Sequence, residues 1–153
     1  MTCSIAQALE VVGEWWTLLI LRDSFLGVTR FDDWQRRLGI ARNVLSARLD
    51  QLVEAGILER RQYQEHPPRD EYVLTRKGTD LAPVLDALRN WGDRYAAPDG
   101  PPVLLVHDDC GEPTSAVAHC AVCGERLRLG HVHMEPSATH PHPEIVLDGR
   151  PAR

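Results

Sequence analysis

The chain has 153 residues, of which 43% are hydrophobic and 25% are charged, so it can bury one substantial core and hardly two. Its longest apolar run, Trp15–Leu21, is interrupted by Thr17 and is too short to span a bilayer. The first residues also lack the basic and apolar regions of a secretory signal. We therefore expect a cytoplasmic protein with no membrane partner.

The net charge of -5 is distributed unevenly along the chain. From Arg30 to Lys77, ten basic residues stand against eight acidic ones, whereas from Pro98 onward four basic residues stand against eight acidic ones. DNA phosphates attract basic protein surfaces. The mildly basic middle of the chain therefore permits DNA binding without demonstrating it.

The beginning of the chain is predicted to be helical. Ser4 can cap a first helix, which Gly13 interrupts, and a second apolar helix then ends near Gly27. A third, short helix is indicated by apolar residues at the spacing of one buried helical face, namely Phe31, Trp34 and Leu38.

A turn and another amphipathic helix follow. Gly39 can take the positive φ angle that a tight turn needs, and a helix predicted from Arg42 to Ala55 ends at Gly56, a left-handed cap. One face of this helix is apolar and carries Leu45, Leu49, Leu52 and Val53. Two helices joined by a short turn that contains glycine form the helix-turn-helix pattern.

Two short strands are predicted directly after this helix pair. They are Leu58–Tyr63 and Asp70–Thr75, with a turn at His66-Pro67-Pro68 between them. A two-stranded hairpin in this position is the wing of a winged helix. The predicted fold is therefore mainly α with a two-stranded β wing, a winged helix-turn-helix.

A last helix is predicted from Thr79 to Tyr95, and it either begins shortly before Pro83 or kinks there. Its apolar residues alternate by three and four positions, which suits pairing with another helix. They are Leu81, Val84 or Leu85, Leu88, Trp91 or Gly92, and Tyr95. We expect this face to form a homodimer interface; the alternative is that it covers the core of its own subunit.

A series of short motifs falls in order between Cys3 and Gly92. They are Cys3-Ser-Ile, Gly13-Glu-Trp-Trp-Thr-Leu-Leu-Ile-Leu21, Arg30-Phe31, Gly39-Ile40, Leu45-Ser-Ala-Arg-Leu49, Leu52-Val-Glu-Ala-Gly-Ile57, Pro67-Pro-Arg-Asp-Glu-Tyr72, Leu74-Thr-Arg-Lys-Gly78 and Trp91-Gly92. Together they resemble the HxlR family of bacterial winged helix-turn-helix regulators, distant relatives of MarR. The resemblance implies a homodimer, built through its first and last helices, that represses or activates nearby genes.

Two positions depart from the pattern of that family. Ala41 stands where the family usually has a helix-capping residue such as Ser or Thr, so the following helix is expected to start less firmly. Glu14 stands where the family commonly has Lys, which we expect to affect a surface contact and not the fold.

The predicted DNA contacts lie on the helix from Arg42 to Ala55 and on the wing. The amino-terminal half of a recognition helix meets the bases, where Arg42 or Arg48 could contact guanine and Asn43 adenine. Asp50 and Glu54 should point away from the groove. The full predicted set is Arg30, Arg42, Asn43, Ser46, Ala47, Arg48, Arg60, Arg61 and Arg69. Taken singly, each wing arginine could equally be an ordinary solvated side chain.

A cluster of cysteine and histidine follows the linker at 98–102. His107 and Cys110, then Cys120 and Cys123, are each separated by two residues, and a glycine follows each pair. Three thiolates and one imidazole would form a closed tetrahedral shell for a structural zinc ion, giving a small zinc-ribbon-like extension. Other histidines compete for the fourth position, namely His119, His131 and His133. Two alternatives stay open: cysteines that merely pack, and a redox pair formed by Cys120 and Cys123.

The expected domains are a DNA-binding and dimerisation domain over 1–97, the linker, the extension over 103–135, and a tail over 136–153 with little fixed structure. Cys3 resembles the thiol that some members of the HxlR family use to sense oxidants or electrophiles, so an oxidant or a small molecule could act as inducer. The alternative is a half-buried packing cysteine.

Two other classes of protein compete with a regulator. A thiol oxidoreductase that uses Cys120 and Cys123 would lack the βαβ setting of that chemistry, and no nucleophile with a base and an orienting group is recognisable, so we expect no enzyme. A protein-interaction module would leave the arginines of the predicted DNA surface without a joint purpose.

Overall fold

The computed structural model describes residues 3–135 and 137–139, and this part of the chain forms six helices and two small antiparallel sheets. The helices are α1 (Ser4–Val12), α2 (Trp15–Phe25), α3 (Phe31–Leu38), α4 (Arg42–Glu54), α5 (Arg76–Thr79) and α6 (Ala82–Tyr95). The strands are β1 (Leu58–Gln64), β2 (Arg69–Leu74), β3 (Leu105–Val106) and β4 (Pro113–Thr114).

The hydrophobic core lies between α2, α3, α4 and the base of the β1–β2 hairpin. At its centre is Trp34, whose indole Nε1 donates a hydrogen bond to the backbone oxygen of Ile20 at 3.3 Å. The Trp34 ring packs edge-on against Tyr72, with 6.0 Å between the ring centroids. The other buried apolar residues are Val12, Leu21, Ile40, Leu45, Leu49, Leu52, Ile57 and Leu58. The apolar spacing of α3 and α4 therefore predicted the centre of the core correctly.

The turns around α4 also follow the sequence. Gly39 ends α3 with a φ angle of 63°, and Gly56 follows α4 with a φ angle of 68°, both in the left-handed region. Ala41 takes the N-cap position of α4 in extended conformation and offers no side-chain hydrogen bond to the helix. The predicted lack of a side-chain cap at this helix is confirmed.

The hairpin of β1 and β2 forms the wing. Its register runs from Leu58 opposite Leu74 to Gln62 opposite Asp70, with an irregularity before Gln64. The strand residue Tyr72 donates its backbone N–H to the backbone oxygen of Thr29 at 2.7 Å, in the loop that leads into α3. The wing is thus attached to the helix pair, and the observed fold is the predicted winged helix-turn-helix.

Two helix boundaries differ from the sequence prediction. Ser4 is the first residue of α1, and Cys3 takes the N-cap position without a side-chain bond to the helix. The helix predicted to begin at Thr79 is preceded by the separate short α5 and starts at Ala82, with Pro83 in its first turn. Pro83 lacks an N–H group and is tolerated there because the first-turn N–H groups have no partner within the helix.

The extension after α6 contains two tight hairpins and packs on α6. The backbone N–H of Ala116 donates to Asp86 Oδ2 at 2.7 Å, and Asn90 Nδ2 donates to the backbone oxygen of Ala116 at 3.3 Å. Apart from 137–139, the predicted tail lies outside the described residues.

Within 3–135 and 137–139, no single helix is long and apolar enough to span a membrane. The pair α1 and α2 meets those criteria only when the two are taken together, and they are bent by 78° relative to each other.

Candidate nucleic-acid interface

The outer face of α4 combines small, polar and basic side chains. Leu45 and Leu49 are fully buried, which fixes the rotation of the helix about its axis. The residues predicted to contact bases on the opposite face are exposed, namely Arg42, Asn43, Ser46 and Ala47. Because Ala41 does not cap the helix, the N–H groups of its first turn have no side-chain partner among the described residues.

Arg42 is held loosely at the start of this face. Its guanidinium lies over the ring of Phe31, 4.7 Å from the centroid, and its Nη1 atom is 3.8 Å from Asp32 Oδ1. Both members of this ion pair are largely exposed, so the contact is weak and leaves the Arg42 side chain available to another ligand.

Arg48 points away from the exposed face of α4 and toward Glu14. Its Nε atom lies 3.2 Å from Glu14 Oε2, its Nη1 donates to Gln51 Oε1 at 2.7 Å, and only 28% of the side chain is exposed. Glu14 also accepts a hydrogen bond from the backbone N–H of Thr17 and thereby caps α2. The structure thus places Arg48 against the α1–α2 junction, apart from the exposed residues of α4.

Arg60 joins the wing to α4. Its Nη2 atom donates to Asp50 Oδ1 at 2.6 Å, its Nε atom is 3.9 Å from Asp70 Oδ2, and its guanidinium lies over the ring of Tyr72. Arg60 therefore partly neutralises two carboxylates near the predicted DNA surface. Asp50 lies against Arg60 of the wing, and its orientation away from the DNA groove stays a prediction.

The remaining predicted arginines are exposed around the wing. Arg30 lies over the ring of Tyr63 at 4.5 Å from the centroid, and its backbone forms a bridge with Glu71. Arg61 pairs with Glu59 on the same strand. Arg69 begins β2 next to the turn, opposite Gln64.

Three polar residues hold this surface in place, and sequence reasoning singled out only Glu14 among them. Asp23 is fully buried and accepts from Arg22 Nη2 at 2.8 Å and from Arg37 Nε at 3.1 Å, which ties α2 to α3. Glu14 caps α2 as well as contacting Arg48. Lys77 Nζ donates to the backbone oxygen of Ala55 at 2.8 Å, at the carboxyl end of α4. The role of Asp23 could not be predicted from the sequence, because its partner Arg37 lies fourteen residues away.

The cysteine and histidine residues of the extension lie at the two hairpin turns. His107 Nδ1 is 3.4 Å from Cys110 Sγ in the first turn. In the second turn, hydrogen bonds from the backbone of Cys123 and of Val122, and from the Cys123 side chain, lower the pKa of the Cys120 thiol. Within 3–135 and 137–139, no three such side chains lie close enough together to hold one metal ion.

The sequence has clear relatives among transcriptional regulators. The model of the HxlR-like helix-turn-helix family matches residues 11–100. An HTH-type transcriptional regulator of Mycobacterium tuberculosis, itself uncharacterized, is 48% identical over 134 residues, which cover 87% of this chain and 85% of that protein. An alignment of this length extends past the family match and into the extension.

Solved structures of transcriptional regulators also resemble this chain. PA1607, assigned as a transcription factor, superimposes with a TM-score of 0.79 at 39% identity and covers 89% of this chain and 96% of its own. The redox regulator HypR in its oxidized form superimposes with a TM-score of 0.56 at 30% identity and covers 60% of this chain and 96% of its own.

Proposed function

Since the chain belongs to the HxlR-like helix-turn-helix family of transcriptional regulators, we propose that it binds a specific DNA site as a homodimer, with α4 in the major groove and the wing beside it. The observation that carries this proposal is the exposed face of α4. The face has no carboxylate in its amino-terminal half, and Asp50, which follows, is paired with Arg60.

The chemistry of this face suits base contacts. Arg42 can give two parallel hydrogen bonds to guanine and Asn43 two to adenine, while the small Ala47 lets the helix approach closely and can touch a thymine methyl group. The free N–H groups at the start of α4 can donate to a phosphate. Arg30, Arg61 and Arg69 then supply the contacts to the DNA backbone that fix the orientation of the protein.

The dimer is supported by apolar side chains that the single chain leaves uncovered. On α6 they recur at helical spacing and are more than half exposed: Val84, Leu88, Trp91 and Tyr95. On α1, Ile5 and Leu9 are exposed to a similar degree. A row of large exposed apolar residues on two helices is typical of a protein interface, and a dimer would place two copies of α4 on successive turns of DNA.

The test is a gel-shift titration of Arg42→Ala and Asn43→Ala variants on the operator and on a scrambled duplex. Each substitution should weaken binding to the operator by about 1–3 kcal/mol and leave binding to the scrambled duplex nearly unchanged. Arg76→Ala is the matched control: Arg76 is exposed but lies beyond the base of the wing, next to the carboxyl end of α4. Unchanged affinity in both variants would reject this placement of α4.

A thiol switch is a second candidate property, and the position of Cys3 favours it. Cys3 is partly exposed and occupies the N-cap position of α1, and α1 carries part of the proposed dimer surface. The redox regulator HypR shares this fold. Oxidation by a peroxide or modification by a quinone should release the operator from the wild-type protein and not from Cys3→Ser. Equal release from both proteins would reject the switch.

A further inference from the structure

The two turns of the extension are built alike. In the first, the backbone N–H of Gly111 donates to the oxygen of His107 at 2.8 Å, and the N–H of His107 donates to the oxygen of Glu112 at 3.0 Å. In the second, the N–H of Gly124 donates to the oxygen of Cys120 at 2.9 Å, and the N–H of Cys120 donates to the oxygen of Glu125 at 2.8 Å.

The glycine after each turn takes the same conformation. Gly111 has a φ angle of 71° and Gly124 one of 75°, a left-handed backbone that side-chain-bearing residues rarely adopt. Each turn closes a short antiparallel hairpin: β3 with β4 in the first, and the bridge between His119 and Arg126 in the second. Two stretches that share the spacing of two ligands followed by Gly and Glu thus fold into the same small unit, with two ligand-type side chains in each turn.

The extension has no hydrophobic core that would explain this order. Among its described residues from 98 onward, only Cys120 is even partly buried. Apolar side chains remain exposed, as at Val122 with 95% of its surface accessible and Leu129 with 84%. Isolated two-stranded hairpins are marginally stable in water, so an additional source of stability is required.

We propose that a structural zinc ion closes the two turns onto each other, bound by His107, Cys110, Cys120 and Cys123. Zinc favours four nitrogen and sulfur ligands in a tetrahedron. On binding, the three thiols lose their protons to solvent and the imidazole binds through a neutral nitrogen, so the filled site carries one negative charge. Since the described side chains do not yet surround one ion, the two hairpin tips must approach each other when the metal binds.

Two of the three competing histidines make other contacts. His119 Nδ1 is 2.9 Å from the backbone oxygen of Gly124, and His133 Nε2 is 2.9 Å from Glu135 Oε1. His107 lies in the first turn beside Cys110, in the position that corresponds to Cys120 in the second turn. This position in the repeated turn assigns His107 as the fourth ligand.

The extension contacts α6 through Asp86 and Asn90. A bound metal would therefore make the extension more rigid next to the helix that carries the proposed dimer surface. This proposal does not depend on DNA binding. Metal content and spectra report on it directly, whichever DNA the protein recognises.

The experiment uses the full chain, purified under reducing conditions without chelator. We expect about one equivalent of zinc per chain. Titration of the metal-free protein with Co²⁺ should give the absorption of a tetrahedral site with thiolate ligands. Less than about a tenth of an equivalent of zinc, together with no tetrahedral Co²⁺ spectrum, would overturn the proposal.

Substitutions identify the ligands. Cys110→Ser, Cys120→Ser, Cys123→Ser and His107→Ala should each weaken Co²⁺ binding at least about tenfold, since even residues that only orient metal ligands have effects of this size. Cys3→Ser and His133→Ala are the matched controls and should bind as the wild type does. Helical circular dichroism reports on the winged helix, so a variant that keeps this signal has lost a ligand and not its fold. Unchanged binding in His107→Ala, or equal loss in Cys3→Ser, would overturn the assignment.

Discussion

Among single residues, Asp23 shows how a buried charge can organise the helix pair. Its carboxylate is fully buried, whereas its partners Arg22 and Arg37 are each about half exposed. The carboxylate is out of water and depends on these two hydrogen-bonded pairs, which are individually stronger than neutral hydrogen bonds. The contact with Arg37 fixes α3 on α2, and α3 in turn supports α4.

Replacing Asp23 with Asn should lower the free energy of unfolding by about 2 kcal/mol, because charge-assisted hydrogen bonds to both arginines are lost. Urea denaturation measures the change. Asp33→Asn is the control, since Asp33 forms only an exposed pair with Arg36, and its effect should stay within about 0.5 kcal/mol. Equal losses in the free energy of unfolding would mean that the ion pairs of buried Asp23 stabilise the protein no more than the exposed pair of Asp33 does.

Residue-level prediction from the sequence succeeded where the cause is local. The positive φ angles of Gly39 and Gly56 and the missing cap at Ala41 follow from the residue and its immediate neighbours. The pairing of Asp50 with Arg60, and the turn of Arg48 toward Glu14, depend on how separate elements pack. Their positions in the sequence carry no signal for these contacts, so the sequence alone does not indicate that Arg48 lies against Glu14.

At the scale of elements, α5 lies unusually close to the base of the wing. Gly78 is buried in α5, and a Cβ atom there would collide with the backbone oxygen of Ile57 and crowd the side chain of Leu74. The backbone at the base of the wing therefore approaches α5 more closely than any side chain would allow. Thr75 completes this junction by accepting from the Gly78 N–H and donating to the oxygen of Gly56.

Gly78→Ala should destabilise the protein by about 1–3 kcal/mol, because the backbone of Ile57 cannot move aside as a side chain could. Thermal or urea unfolding measures the loss. Gly92→Ala is the control: a Cβ at Gly92 meets nothing within 4 Å, and alanine should stabilise α6 by about 1 kcal/mol. A Gly78→Ala protein as stable as the wild type would show that this close approach is not rigid.

The elements themselves were largely predictable because their apolar periodicity is strong. α3, α4, the wing and α6 lie close to their predicted positions. The separate α5 was missed because four residues are too few to show a period. The two turns of the extension were recognisable from ligand spacing and glycine, but their packing on α6 through Asp86 was not, since it depends on one backbone contact.

At the scale of the whole molecule, the proposed dimer depends on the exposed apolar residues of α1 and α6. Leu88→Glu places a charge in the middle of the row on α6 and should convert the proposed dimer to a monomer, which light scattering coupled to size exclusion would detect. The same variant should bind the operator much more weakly, because one subunit contacts only half of the site. Leu26→Glu is the control, since Leu26 follows α2 and is even more exposed than Leu88, at 67% against 53%. A Leu88→Glu protein with the mass of the wild-type dimer would place the interface elsewhere.

The central claim is sequence-specific DNA binding by the winged helix, and the most direct measurement is a titration of the reduced protein against DNA from upstream of its own gene at two salt concentrations. We predict tight binding to one site that weakens about a thousandfold between about 50 and 200 mM salt, as expected for some six phosphate contacts, with much weaker binding to a scrambled duplex. Weak binding of equal strength to both duplexes at both salt concentrations would contradict the claim.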